Sequence, residues 1–114
     1  MINKDYGNIG EAAAILHYLK EGFTVSKPLF ENCKYDLIVD NGTLFRVQVK
    51  TSRYKVPSGK YQVSFRTTGG NRSGMGKVTT ISEDEVDLVF IYLEDGSIFE
   101  FPASELMGRS TINL

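Results

Sequence analysis

Three side chains that can do chemistry stand close together in the segment 35–50, YDLIVDNGTLFRVQVK. Asp36 offers a carboxylate, Gln48 a carboxamide and Lys50 an ammonium group. Gln48 and Lys50 are two residues apart, the spacing that places side chains on one face of a β-strand. An acid, an amide and a base that converge on rigid backbone form the first candidate for an active site.

The same segment has the pattern of a β-hairpin, which would hold these groups in place. Asn41-Gly42 readily adopts the positive φ angles of a tight turn between two strands. Because side chains alternate along a strand, the second strand is predicted to have one apolar and one polar face. Its apolar face comprises Phe45, Val47 and Val49, and its polar face comprises Arg46, Gln48 and Lys50.

An acid near the start of one strand, followed by an acid-x-lysine triplet on the next, resembles the motif of the PD-(D/E)XK nuclease superfamily. Two positions depart from that motif, because Tyr35 replaces its proline and Gln48 replaces its second acid. The QxK variant is similar to the PD-(D/E)XK homing endonucleases of group I introns and, less closely, to archaeal-type Holliday junction resolvases. The resemblance runs from Gly7 to about Leu106. It implies an α/β, restriction-endonuclease-like fold with a mixed central β-sheet flanked by helices, in one domain over residues 1–114.

The resemblance also implies an active site that uses Mg²⁺ or Mn²⁺ to hydrolyse a DNA phosphodiester bond. Such an ion lowers the pKa of bound water and offsets negative charge. The implied metal ligands are Asp36, the side-chain oxygen of Gln48, the backbone carbonyl of Val49 and Glu11. Lys50 would orient or deprotonate the attacking water, which makes the catalytic set Glu11, Asp36, Gln48 and Lys50. A first-turn acid that stabilises the helix dipole is the alternative for Glu11.

The charge distribution favours a polyanionic partner. The net charge is −1, but residues 46–78 contain eight basic and no acidic residues. Such a segment concentrates positive potential suited to phosphate contacts, although a merely solubilising basic loop would have the same composition. The predicted DNA contacts are Arg46, Arg53, Lys55, Lys60, Arg66, Arg72 and Lys77.

Hydrophobic periodicity and turn signals predict the remaining elements. The first helix is predicted over 8–21, capped by Asn8, with an apolar stripe of Ala12, Ile15, Leu16 and Leu19 and with His17 on its solvated face. The run 87–93 is predicted to be a strand buried on both faces. Further strands are predicted over 23–27, 61–66 and 97–101, a capping-box turn or helix over 82–86, a helical turn over 102–107 and a glycine-rich loop over 67–77.

Composition narrows the remaining classes of function. One cysteine and one histidine exclude an internal disulfide, a cysteine-based zinc cluster and a Ser-His arrangement, and the single thiol fits a reducing cytoplasm. The sequence predicts neither a signal peptide nor a membrane span. Cleavage of both DNA strands calls for paired sites, so a homodimer or homotetramer is expected. The alternatives are a Holliday junction resolvase and a DNA-binding module whose site has decayed at Gln48.

Overall fold

The computed structural model describes residues 2–68 and 78–114. Residues 69–77, predicted as part of a loop that carries Arg72 and Lys77, lie outside the described residues. No helix within the described ranges has the length and hydropathy needed to cross a lipid bilayer. The elements are α1 (Asn3–Lys20), β1 (Thr24–Ser26), β2 (Leu37–Asp40), β3 (Leu44–Ser52), β4 (Gln62–Ser64), β5 (Thr67–Thr68), β6 (Val78–Thr79), β7 (Leu88–Leu93), β8 (Ile98–Pro102), a 3₁₀ helix (Ala103–Glu105) and β9 (Thr111–Asn113).

A five-stranded mixed sheet, in the order β1-β2-β3-β7-β8, carries the hairpin predicted over 35–50. Strands β2 and β3 pair antiparallel with Leu37 opposite Val47, and Gly42 in the turn between them has a φ of 108°. Strand β3 then runs parallel to β7, and β7 pairs antiparallel with β8. The predicted hairpin and the mixed sheet are therefore confirmed.

The sheet separates two hydrophobic cores. The helix-side core contains Ala14, Tyr18, Leu37, Val39, Val47 and Phe90, and the ribbon-side core contains Tyr61, Val63, Phe65, Ile81, Val86, Val89, Ile91, Leu93, Ala103 and Leu106. Successive residues of β7 alternate between the two cores. The prediction that 87–93 is a strand buried on both faces is therefore confirmed.

Helix α1 differs from its prediction in both start and orientation. It begins at Asn3, so Asn8 lies inside the helix rather than at its cap. Its buried residues are Tyr6, Gly10, Ala14 and Tyr18, whereas Ala12, Leu16 and Leu19 of the predicted stripe are exposed. The stripe prediction was wrong because both sides of this helix carry apolar residues, and periodicity alone cannot tell which side packs. His17 is half-buried, 5.4 Å from the Phe90 ring between centroids, rather than solvated.

Two short ribbons lie beside the main sheet. Strands β4 and β9 pair antiparallel, and so do β5 and β6. Strand β9 was not predicted from sequence. Backbone hydrogen bonds between Tyr61 and Leu114, both at 2.8 Å, extend its pairing with β4. The 3₁₀ helix, which fills the predicted helical turn, contributes Ala103 to the ribbon-side core.

Candidate active site

The Asp36 carboxylate is fixed at an open edge of strand β3. Strand β2 begins at Leu37, which pairs with Val47, so β2 has no residue in the register opposite Val49. The Asp36 amide donates to the Val47 carbonyl at 2.8 Å, and Asp36 Oδ2 accepts the Val49 N–H at 2.7 Å. The Asp36 carboxylate thus accepts a hydrogen bond that the carbonyl of a partner strand would otherwise accept. It lies at the edge of the sheet, between its two faces.

Helix α1 brings a second carboxylate, that of Glu11, to the same place. The approach depends on Gly10, because a Cβ atom there would overlap the methyl group of Thr51 on β3. With the helix this close, Glu11, Asp36 and Val49 line one cavity of about 220 Å³. The close contact between α1 and β3 therefore brings Glu11 and Asp36 to one cavity.

The environment of Asp36 disfavours its own negative charge. Burial raises the pKa of Asp36, and the Glu11 carboxylate raises that pKa further. The Val49 N–H, Lys50 and Lys27 lower the pKa but do not cancel the rise. Two neighbouring carboxylates, one of them desolvated, form a place where a cation would be stabilised.

The pKa of Lys50 is also shifted in the direction that disfavours its charged form. Burial lowers the pKa of Lys50, the nearby Lys34 lowers it further, and Asp36 raises it in part. A lysine whose charged form is disfavoured in this way can accept or release a proton closer to neutral pH than an ordinary lysine. Lys34 was not predicted from sequence, and no spacing relates it to the motif.

Lys27 is a second residue that sequence reasoning missed. Its Nζ donates to Glu11 Oε1, and the two side chains form an ion pair in which Lys27 is 58% exposed. An exposed ammonium group is an easily displaced partner, since its hydration recovers much of the lost interaction. Lys27 thus neutralises Glu11 while leaving the carboxylate accessible.

Gln48 lines a different cavity from the two carboxylates in the described structure. It borders a small cavity together with Lys34, Phe65 and Thr79, whereas the Glu11–Asp36 cavity is lined by Val49 and Thr51 of the same strand. Val49 packs toward the helix-side core, and Gln48 and Lys50 alternate with it toward the other face of β3. The predicted role of Gln48 as a metal ligand stays a prediction.

Arg46, predicted to contact DNA, is engaged within the fold. Its guanidinium donates to both carboxylate oxygens of Asp87 at 3.0 Å, and to the carbonyl oxygens of Asp84 and Glu83 at 2.8 and 3.1 Å. This pairing raises the pKa of Arg46 and lowers that of Asp87. A phosphate contact would require these hydrogen bonds to break, so the structure gives Arg46 a structural role.

The other predicted phosphate contacts within the described residues lie beyond the end of β3. Arg53 donates to Asn3 Oδ1 at 2.7 Å, and its guanidinium carbon lies 4.8 Å from the centre of the Tyr6 ring. Lys55 Nζ lies 5.2 Å from the centre of the Tyr61 ring. Lys60 and Arg66 are exposed, whereas Arg72 and Lys77 lie outside the described residues.

The candidate active site offers few side chains that could bind a metal ion. Within residues 2–68 and 78–114, no cluster of three or more His, Cys, Asp or Glu side chains could hold a metal ion. Any metal here must therefore use two carboxylates together with neutral oxygen atoms. That donor set matches the preference of Mg²⁺ for a few carboxylates and several waters.

A mixed sheet with a helix against one face, and with two carboxylates and a lysine at an open strand edge, defines a restriction-endonuclease-like nuclease. The chain belongs to the PD-(D/E)XK endonuclease family, whose model matches residues 1–114. It is similar to the solved structure of a bacterial homing endonuclease, I-Ssp6803I, with a TM-score of 0.83 and 30% identity over 100% of this chain and 78% of that chain. A search of curated proteins gave no match. The resemblance and the fold class inferred from the sequence are confirmed.

Proposed function

We propose that this protein is a metal-dependent DNA endonuclease of the homing-endonuclease type, in which residues 1–114 form one catalytic domain. The observation that carries the proposal is the opposed electrostatics of the site, where burial raises the pKa of Asp36 and lowers the pKa of Lys50. Perturbations of this kind cluster at functional sites. Family membership supports the nuclease reaction.

The residues present fit a divalent ion such as Mg²⁺ or Mn²⁺. Asp36 and Glu11 supply two carboxylates at one cavity, and a bound cation would offset the repulsion of the Glu11 carboxylate that raises the pKa of Asp36. The backbone carbonyl of Val49 is the proposed third ligand. When bound, such an ion offsets charge at the scissile phosphate and makes a coordinated water more acidic.

Lys50 would handle the proton of the attacking water. Its lowered pKa makes the neutral amine more accessible, and Asp36 beside it would orient the ammonium group once the proton has moved. Lys27 would leave Glu11 as the metal enters. This exchange predicts that Lys27→Ala tightens metal binding measured by calorimetry, because Glu11 no longer has a competing partner.

Gln48 is tested as a ligand by two substitutions. If its carboxamide oxygen binds the metal, Gln48→Glu retains cleavage and tightens metal binding, whereas Gln48→Ala requires more metal or loses activity. Equal cutting by the parent and Gln48→Ala would remove Gln48 from the ligand set. A parent that fails to cut in every divalent ion tested, and whose metal binding is unchanged by both substitutions, would support the decayed module instead.

A second copy of the chain is the proposed partner, as a homodimer or within a homotetramer. Ile9, Ala12, Leu16 and Leu19 follow the three-and-four spacing of a coiled-coil seam, and Leu16 and Leu19 are 54% and 55% exposed. Antiparallel pairing of two such helices would bury these exposed apolar side chains in a two-fold contact.

Sedimentation tests the helix contact directly. Leu16→Asp should yield monomers, whereas Leu29→Asp, a matched change at a residue that is 87% exposed outside the helix, should not. An oligomer that survives Leu16→Asp would have to use another surface.

The substrate is tested with supercoiled plasmid, linear duplex and a synthetic four-way junction, each with Mg²⁺, with Mn²⁺ and with EDTA. A duplex nuclease cuts the plasmid and linear DNA only when metal is present. Cutting confined to the junction would support the resolvase alternative. The predicted cytoplasmic location stays a proposal, supported by the free and exposed thiol of Cys33.

A further inference from the structure

The ribbon of β4 and β9 has one face buried and one face turned away from the protein. Tyr61, Val63 and Phe65 alternate into the ribbon-side core, and Ile112 and Leu114 of the facing strand pack against that core. The residues between them point outward. The register places Gln62 opposite Asn113 and Ser64 opposite Thr111, so these four side chains share the outward face.

The outward face consists of side chains that can both donate and accept hydrogen bonds. Ser64, Thr111 and Asn113 are exposed, and Gln62 is half-buried. Arg66 continues the same alternation and is also exposed. Amide and hydroxyl groups of this kind hydrogen-bond to base edges as well as to phosphate oxygens, and only their contacts to base edges can distinguish one base pair from another.

The ribbon is joined rigidly to the strand that carries Lys50. The buried hydroxyl of Ser52 donates to the Gln62 carbonyl at 2.5 Å and accepts the Tyr54 N–H at 3.2 Å. The Ser52 carbonyl accepts the Tyr6 hydroxyl at 3.3 Å, which ties the same point to α1. Because Ser52 follows Lys50 by two residues, the ribbon and the candidate active site share one short piece of backbone.

A continuous surface connects the two regions. Thr51 lines both the Glu11–Asp36 cavity and a neighbouring open cleft of about 630 Å³. That cleft is also lined by Arg53, Gln62 and Ser64, and by the carboxylate of Glu94. Residues 46–78 and 106–114, which contain both strands of the ribbon, hold no acidic residue. The ribbon itself therefore opposes a polyanion with no negative charge, and Arg53 offsets the charge of Glu94 in the cleft beside it.

We propose that the outward face of the β4–β9 ribbon reads base edges in the major groove of duplex DNA and so selects the cleavage site. The inference rests on the proposed nuclease function and adds its specificity determinants. The major groove admits a two-stranded ribbon. Outward residues two apart are separated by about 6.6 Å along a strand, close to the roughly 6.8 Å of two base-pair steps. Gln62, Ser64 and Arg66 can therefore address successive parts of one short site.

The test compares base preference with salt dependence in the full-length protein. A random duplex library is cut in Mg²⁺, and the ends are sequenced for the parent, Gln62→Ala and the double variant Ser64→Ala/Thr111→Val. Thr24→Val, an exposed threonine on the edge strand β1, is the matched control. Lys60→Ala is the comparison for phosphate contact, and circular dichroism checks that every variant folds.

Ribbon variants should lose about tenfold discrimination at one or more base pairs, with the slope of log K against log salt unchanged. Lys60→Ala should flatten that slope by about 0.9 without changing base preference. If the parent cuts a preferred site and the ribbon variants keep the same preference, the ribbon proposal is overturned and the nuclease function stands. A parent that neither binds nor cuts DNA overturns both. Unchanged preference with altered oligomer size would instead make the ribbon a contact between copies.

Discussion

Strand β3 carries two basic residues, Arg46 and Lys50, and each interacts with an aspartate from outside the strand. The two acid–base pairs differ in their electrostatics. Near its start, Arg46 and Asp87 form a bidentate pair, and the pairing lowers the pKa of Asp87 and raises that of Arg46. Further along, Lys50 and Asp36 attract each other, yet burial raises the pKa of Asp36 and lowers that of Lys50. Pairing favours the charged forms of Arg46 and Asp87, whereas burial disfavours the charged forms of Lys50 and Asp36.

The difference separates structure from chemistry on a single strand. The Arg46–Asp87 pair joins β3 to the residue preceding β7. The Arg46 N–H also donates to Asp87 Oδ2 at 2.7 Å, and the Asp87 N–H donates to the Arg46 carbonyl at 2.9 Å. The Lys50–Asp36 pair gains less from folding, because burial opposes both charges. Perturbed pairs of this kind cluster at functional sites, which agrees with the roles proposed above for Asp36 and Lys50.

The largest expected effect tests the buried pair. Lys50→Ala should slow cleavage by roughly 10²–10⁴-fold, the range expected for loss of a proton-transfer group, while DNA binding in a gel shift stays close to that of the parent. The free energy of unfolding should not fall, since a desolvated charge is removed. Asp87→Asn is the control and should keep cutting at temperatures where it is folded. Loss of binding together with cutting would make Lys50 a DNA anchor.

The next effect tests how the second carboxylate reaches Asp36. Gly10→Ala should lower the free energy of unfolding by about 1–3 kcal/mol, because the new methyl group overlaps Thr51 and must push the helix outward. Cleavage should fall as Glu11 moves away from Asp36. Gly7→Ala, with open space around it in the same helix, should raise stability by about 1 kcal/mol. Equal behaviour of the two variants would contradict the close approach.

A smaller effect, the pH dependence of the free energy of unfolding, tests the Arg46–Asp87 pair. The pKa of Asp87 is lowered by Arg46, so its contribution to stability is present above the unfolded value of 3.8 and is lost as pH falls through the folded pKa. Asp87→Asn should therefore cost about 1 kcal/mol at neutral pH, and the difference from the parent should shrink toward about pH 3. Denaturant unfolding at both pH values measures this. A difference that does not depend on pH would mean that packing, not charge, joins the strands.

The smallest effect has the opposite sign. Asp36→Asn should raise the melting temperature in EDTA at neutral pH, because the carboxylate that burial and Glu11 disfavour is replaced by a neutral group of the same shape. The amide oxygen can still accept the Val49 N–H. Since the folded pKa of Asp36 is raised, the gain should disappear as pH falls below 3.8. A lower melting temperature at neutral pH would show that Lys50 needs the Asp36 charge more than burial opposes it.

Much of the fold could be predicted because local signals and tertiary context agreed. Asn41-Gly42 indicated the hairpin, and the unbroken apolar run 87–93 indicated a strand between two cores. The face of α1 could not be predicted, since Leu16 and Leu19 are as apolar as the residues that pack. Gly10 is the signal that distinguishes the faces, because a glycine in mid-helix often marks a close approach.

The site was less predictable than the fold because it depends on contacts distant in sequence. The motif indicated Asp36 and Lys50, but no spacing connects them with Lys27 or Lys34. The pairing of Arg46 could not be predicted, since its charge fits a phosphate equally well and its partner Asp87 lies 41 residues further along the chain, just before β7. Alternation along β3 already implied that Gln48 and Val49 face different ways.

The alternation of strand β4 has an evolutionary consequence. Val63 and Phe65 are held by the core, so substitutions there are removed by selection for stability. Gln62 and Ser64, one residue away from each, lie on the outward face and can change at little cost to folding. Under the proposed role of the ribbon, single substitutions at these positions would change the DNA target, while the hydrogen bond from Ser52 would keep the ribbon joined to the strand that carries Lys50. Variation should therefore be concentrated at every second residue of the ribbon.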